Sequence, residues 1–99
     1  MKYGLTESQI QYLNQTVVHP LRARGARVWL FGSRARGDHK PFSDIDIMIE
    51  SQTDLRRIIS EIQETLMESS FPFKVDLVQD RDFAESYRPS YLHDRIELV

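Results

Sequence analysis

Five stretches of this 99-residue chain alternate apolar and polar positions with a readable period, and each predicts an element. Ile10, Leu13, Val17 and Val18 recur on one helical face, behind a Thr6-Glu7-Ser8-Gln9 segment with the form of a capping box. A first helix over residues 6–18 is expected. It should close before His19-Pro20, because the residue preceding a proline is driven out of the helical region. Arg27-Val28-Trp29-Leu30-Phe31 is a short aromatic and β-branched run, hence a strand. From Asp44 to Glu50 the period is two. Ile45, Ile47 and Ile49 take one side and Asp44, Asp46, Met48 and Glu50 the other, a strand with one face in a core. Leu55, Ile58, Ile59, Ile62, Leu66 and Met67 form the apolar stripe of a second helix. Thr53 or Asp54 is placed to cap it, and Ser69-Ser70 and Pro72 break it near residue 68. Phe73 to Gln79 reads as a third strand, with Val75 and Leu77 on one face and Lys74, Asp76 and Val78 on the other. Beyond Asp80 the period is lost. Pro89 divides the tail, and two short helical segments over 82–87 and 90–97 are expected.

Residues 32–43 hold two glycines and a proline among mostly polar side chains. They should form a turn, one helical turn near Arg34–Arg36, and then a loop. The order is α-β-α-β with that small turn between the first two strands. The expected class is α/β (α+β), a small mixed sheet with helices packed on one face. A short connection makes strands one and two near neighbours. Gly32-Ser33, at the end of the first, should then lie beside the aspartates that start the second.

Composition narrows the setting. With 40% hydrophobic and 28% charged residues, the chain reads as one globular domain over residues 1–99 with a single core. No apolar run approaches the roughly 20 residues that span a bilayer, so no membrane partner is expected. Met1-Lys2-Tyr3-Gly4 lacks the apolar centre of a signal peptide, which leaves the cytoplasm as the default location. The absence of cysteine excludes disulfides and thiolate metal sites.

The net charge of −2 conceals an asymmetry. Residues 1–40 carry seven Lys/Arg against two Asp/Glu, and residues 41–99 carry six against thirteen. Five arginines (Arg22, Arg24, Arg27, Arg34, Arg36) fall within fifteen residues. Arg22 and Arg24 read as solvated surface. The others also suit a rim for a triphosphate or an acidic partner. The acidic remainder would repel a duplex and no aromatic-basic interleaving supports base stacking, so direct DNA binding is not expected.

The candidate chemistry sits between Gly32 and Asp46. Asp44 and Asp46, two apart on a strand, project to one face with Cα atoms about 6.5–7 Å apart, close enough to converge on one cation or to bridge two. A bound divalent cation would relieve their mutual repulsion and act as a Lewis acid. Oxygen donors without Cys or clustered His point to Mg²⁺ or Mn²⁺ rather than zinc. Alone, an Asp-x-Asp is equally the solvated start of an edge strand. Asp76 shifts the balance, because an aspartate inside an apolar strand is disfavoured and would bring a third carboxylate to the same face. A pairing of Asp76 with Lys74 or an arginine is the plainer alternative. Gly32 permits positive φ and close ligand approach, Ser33 offers a hydroxyl and an N–H, and Arg34 and Arg36 can neutralise phosphate. The segment lacks the Gly-Lys-Ser/Thr of a P-loop. His19, His39 and His93 read as structural or surface groups, and Trp29 as core. Tyr87 and Tyr91 read as packing of the tail, with self-modification or partner contact as sharper options.

Gly32-Ser33, ten intervening residues, Asp44-Ile45-Asp46 and a later Asp76 together resemble the pattern of the DNA polymerase β-like nucleotidyltransferase superfamily. The likeness is strongest from Val28 to Glu50 and weak after Asp80. The short chain further resembles the minimal antitoxin of HEPN–MNT toxin–antitoxin pairs. That resemblance implies a nucleotidyltransferase fold in which Asp44, Asp46 and Asp76 hold Mg²⁺. Asp76 would also accept the proton of the attacking hydroxyl, while Gly32 and Ser33 hold the β- and γ-phosphates. It implies ATP as donor, a tyrosine of a HEPN-domain RNase toxin as acceptor, and assembly with that toxin or with a second copy. Neutralisation of the toxin by binding alone, and transfer to a small molecule or RNA, are the competing expectations.

Overall fold

The computed structural model describes residues 1–99. The chain runs α1 (Glu7–Leu13), a π turn (Asn14–Val18), α2 (His19–Arg22), β1 (Arg27–Phe31), α3 (Ser33–Arg36) and β2 (Ile45–Glu50). It continues through α4 (Arg56–Glu68), β3 (Val75–Gln79), α5 (Arg88–Asp94) and β4 (Ile96–Leu98).

The capping box forms as the sequence predicts. The Thr6 hydroxyl accepts from Gln9 N–H and the Gln9 side chain accepts from Thr6 N–H at 2.9 Å. The helix does not stop at residue 18, however. The backbone widens to a π turn, in which His19 N–H donates to the Asn14 carbonyl. Pro20 then falls in the first turn of α2, where its missing N–H is tolerated. Continuing the helix carries Leu21 into the core beside Val17 and Val18, all three fully buried. Each such side chain contributes about 1.5–3 kcal/mol, which outweighs the local reluctance of a pre-proline residue.

The sheet order is β3-β2-β1-β4, with β1 antiparallel to both β2 and β4 and β2 parallel to β3. Ile45, Ile47 and Ile49 lie on one face with Val28, Leu30 and Val75. Leu13, Val17, Val18, Leu21, Ile62 and Leu66 from the helices cover them. This is the mixed α/β sheet that the alternation predicts, with α1, α2 and α4 on one face, although α5 packs on the other. Two details of α4 differ. Met67, placed in its apolar stripe, is 80% exposed. The helix starts at Arg56, and Asp54 caps it from just outside by accepting Arg56 N–H at 3.0 Å.

The tail departs most from expectation. Residues 82–87 form single 3-10 turns (Asp80–Asp82 and Glu85–Tyr87) rather than a helix. The helix expected over 90–97 ends at Asp94, and Ile96–Leu98 adds a strand to β1 in the register Val28↔Leu98 and Leu30↔Ile96. Three alternating residues are too few to reveal a strand without the edge they complete. Tyr91 closes the second face of the sheet, packing with Trp29 and Met48 and flanked by Phe31 and Phe83.

Candidate functional site

The aspartates lie on that second face, at the strand ends. Asp46 occupies the middle of three adjacent strands, opposite Phe31 of β1 and opposite Asp76 of β3. Strand β2 begins at Ile45, so Asp44 sits one residue ahead of it, exposed. Gly32 follows Phe31 directly, with φ 75° and ψ −158°. A Cβ at that position would collide with Asp46 Oδ2 and lie 3.1 Å from its Cγ. Glycine is therefore needed twice over, for the positive φ and for the carboxylate that closes onto its Cα. The adjacency of Gly32 and Asp46 is a consequence of register, not of loop flexibility.

This corner carries excess negative charge. Half-burial pushes the Asp46 pKa above the usual carboxylate range, and the charges of Asp76 and Asp44 push it further, with Arg36 and Lys74 opposing. Lys74 Nζ lies 3.5 Å from Asp76 Oδ1, the plainer pairing that the alternation permits. No three acidic, imidazole or thiol side chains form a ready-made cation cage anywhere in the chain. The donors at Asp44, Asp46 and Asp76 are all hard carboxylate oxygens. Asp44 and Asp76, whose charges raise the proton affinity of Asp46, form with it a donor set that suits a divalent cation. The fit is chemical, and Lys74 supplies the compensating charge in the free protein.

Ser33 opens α3, a single turn. Gly32 O accepts Ala35 N–H and Arg36 N–H, and Gly37 ends it in the left-handed region at φ 89°. The N–H groups of Ser33 and Arg34 head the turn, where no intrahelical partner exists. Arg36 is partly exposed, with Nε 3.1 Å from Asp38 Oδ2 and Nη1 3.8 Å from Asp94. Those bonds leave much of its guanidinium free for an anion near Asp46.

Arg34 takes a different place from the one its neighbourhood suggests. It is 2% exposed. Nε and Nη2 donate to Ser43 O at 3.0 and 2.8 Å, Nη1 donates to Tyr3 O at 2.9 Å, and the guanidinium stacks 4.5 Å from the Phe73 ring. With its donors committed inward, it is not disposed toward a phosphate outside. It ties the N-terminal segment to the residue immediately before Asp44. Gly4 is the matching feature, since a Cβ there would meet Arg34 Nη1 at 2.8 Å and collide with His39.

A concavity of about 260 Å³ opens beside this corner, lined by Gly32, Arg36, Phe31 and the tail residues Phe83, Tyr87, Ser90, Tyr91 and Asp94. Of these, Tyr87 and Tyr91 read from the sequence as packing or as partner contacts, and Phe83, Ser90 and Asp94 carry no motif. The only hint was that Tyr87, Ser90, Tyr91 and Asp94 recur at helical spacing. A wider concavity of about 470 Å³, lined by no hydrophobic residue, lies at the opposite strand ends, where Arg27 is already paired with Glu97 and Glu50.

A glycine turn closed onto a carboxylate, with a second aspartate in register on a mixed sheet, defines a class, and the chain belongs to it. The nucleotidyltransferase domain family matches residues 11–99. Among its relatives, the Haemophilus influenzae protein named "Probable protein adenylyltransferase MntA" is 37% identical over a 70-residue alignment that covers 66% of this chain. The match spans 61% of that protein, about three fifths of its length. Two solved structures share the fold at 26% identity. One is a toxin–antitoxin with AMP-PNP (TM-score 0.67, covering 87% of this chain and 72% of that one). The other is a tyrosine-to-alanine mutant of the toxin–antitoxin MntA-HpeT (TM-score 0.64, 96% and 72%). No helix is long and apolar enough to cross a membrane.

Proposed function

We propose that this nucleotidyltransferase domain is a Mg²⁺-dependent protein adenylyltransferase that acts as an antitoxin, moving AMP from ATP to a tyrosine hydroxyl of a HEPN-domain toxin. The observation that carries it is the closure of the Gly32 turn onto Asp46, itself in register with Asp76. The naming of a relative as an adenylyltransferase and the toxin–antitoxin complexes among the fold neighbours support the acceptor class.

In this reading Gly32 and Ser33 receive the β- and γ-phosphates through backbone N–H groups and the serine hydroxyl, and Arg36 neutralises their charge. Asp44, Asp46 and Asp76 hold Mg²⁺, or Mn²⁺ in its place, with Lys74 yielding its position on Asp76. The cation, when bound, offsets negative charge on the phosphates and polarises the α-phosphoryl group. The acceptor oxygen attacks the α-phosphorus, the bond to the β-phosphate bridging oxygen breaks, and pyrophosphate leaves. Asp76 takes the hydroxyl proton. Arg34 acts at a distance, fixing Ser43 and so the approach of Asp44.

The test is label transfer. With labelled ATP, Mg²⁺ and the HEPN partner, the partner should acquire AMP, and Asp44→Ala with Asp46→Ala should abolish it. Equal transfer by the double variant would refute the assignment. A binding-only antitoxin is the second reading, favoured by the open carboxylates and the Lys74–Asp76 pair. It predicts that the double variant still protects cells from the toxin.

A further inference from the structure

We propose that the aromatic concavity beside Gly32 receives the nucleobase of the donor nucleotide, and that Asp94 selects bases bearing an exocyclic amino group. The inference rests on the nucleotidyl-transfer reading and adds the base-binding part of the same site. Three observations converge on it.

The first is placement. Gly32 and Arg36 form one wall of the concavity and also the corner assigned to the phosphates. A base seated there leaves its ribose and phosphates running toward Ser33. At about 260 Å³ the space lies below the roughly 300–1,000 Å³ that encloses a whole drug-sized ligand. It suits one planar ring system with the rest of the nucleotide outside.

The second is an aromatic wall with one face unused. Phe31, Phe83 and Tyr91 pack edge to face with centroids 5.4–5.6 Å apart. Tyr91 is buried and its hydroxyl is the acceptor of an Arg95 N–H, so it serves as an anchor. Tyr87 stands tilted at 6.2 Å from Phe83 and is 66% exposed. A large ring left in water at the lip of an apolar concavity offers a stacking surface for a base.

The third is the polar end. Tyr87, Ser90, Tyr91 and Asp94 fall on one face of α5 and its preceding turn, so Ser90 and Asp94 edge the same space. The Asp94 side chain is 18% exposed, with His93 Nδ1 at 2.9 Å and Arg36 Nη1 at 3.8 Å. A carboxylate accepts only, and its two oxygens offer about four lone-pair sites, so capacity remains for a donor. Adenine, guanine and cytosine present amino donors. Uracil presents a single N–H between two carbonyls that would face the carboxylate.

The experiment measures binding of Mg²⁺-ATP and of purine riboside 5′-triphosphate, which lacks only the 6-amino group, by calorimetry on the full chain. Wild type should bind ATP about tenfold or more tightly than the desamino analogue. Asp94→Ala should bring the two together by weakening ATP, and Asp94→Asn should keep part of the preference. Tyr87→Ala should weaken both by about fivefold or more and leave their ratio intact. Circular dichroism and melting curves check that α5 persists in each variant. Equal affinities in wild type, or an unchanged ratio in Asp94→Ala, would overturn the proposal. If ATP still binds in those cases and Gly32→Val abolishes it, the transfer reading stands and the base lies elsewhere. If wild type binds neither triphosphate, both fall.

Discussion

Replacing Arg34 by methionine separates a residue that holds the site together from one that touches the nucleotide. Methionine keeps the apolar stem of Arg34 out to about the place of Nε but removes three hydrogen bonds to the carbonyls of Ser43 and Tyr3 and the stacking on Phe73. Bonds from a charged donor contribute about 1.5–3 kcal/mol each, and a buried carbonyl left without a partner costs about 1–3 kcal/mol. The contributions overlap, and the variant is spared the desolvation of a guanidinium. A net loss of about 3 kcal/mol follows, against a total stability of about 5–15 kcal/mol for a domain. At about 4–8 °C per kcal/mol for a domain of this size, the melting temperature should fall by roughly 12–24 °C. The assay is urea and thermal unfolding without nucleotide or divalent cation, so that ligand binding contributes nothing. Arg36→Met is the companion. Its guanidinium is partly exposed and paired with the exposed Asp38 and, at 3.8 Å, with Asp94, so its melting temperature should stay within about 3 °C while affinity for ATP drops. The reasoning is refuted if Arg34→Met melts with wild type and loses nucleotide affinity instead.

Gly32→Ala should fold less stably and lose nucleotide binding, because its Cβ drives the Asp46 carboxylate off the turn; calorimetry with ATP measures the loss, and normal affinity would contradict the close contact. The raised Asp46 pKa has a definite sign in pH dependence: the folded protein holds that proton more tightly than the unfolded chain, so stability is lost as pH rises through the raised value. Mg²⁺ should therefore raise the melting temperature more near pH 8 than near pH 5, and Asp46→Asn should melt higher than wild type near pH 8 without metal. Lys74→Met removes the ammonium beside Asp76, and Mg²⁺ titrations should show tighter cation binding than wild type, with weaker binding pointing to an assisting lysine. Tyr91→Ala should cost about 3–5 kcal/mol in urea unfolding, since Tyr91 alone from the tail is buried against Trp29 and Met48.

What could be read in the sequence was what repeats within a few residues. The period of two in Asp44–Glu50 gave the buried isoleucine face and, by subtraction, the face of Asp46 and Met48. The spacing of Gly32 to Asp46 implied neighbouring strand ends, which the Phe31↔Asp46 register supplies. The features that escaped reading depend on partners far away in the chain. Ile96–Leu98 becomes a strand only because β1 offers an open edge nearly seventy residues earlier. The helix continues through His19-Pro20 because a π turn and the burial of Leu21 override a local preference. Asp94 and Tyr87 acquire a place beside Gly32 only once Tyr91 has docked on the sheet.

The two pairs Arg34/Arg36 and Asp44/Asp46 show why one spacing carries opposite meanings. Both are separated by a single residue. On a strand, residues two apart share a face, and Asp44, one residue ahead of β2, still adds its charge to the corner where Asp46 sits and helps raise the Asp46 pKa. On a helical turn of about 3.6 residues, two positions rotate the side chain by roughly 200°, to the opposite side. Arg34 and Arg36 lie on α3, so when Arg36 faces the carboxylates, Arg34 must face the interior. There it finds the carbonyls of Tyr3 and Ser43. Once the turn was expected to be helical, the two arginines could not both have met the same phosphate. The inward arginine holds Ser43, the residue before Asp44, while the outward one lies within reach of the charge of Asp46.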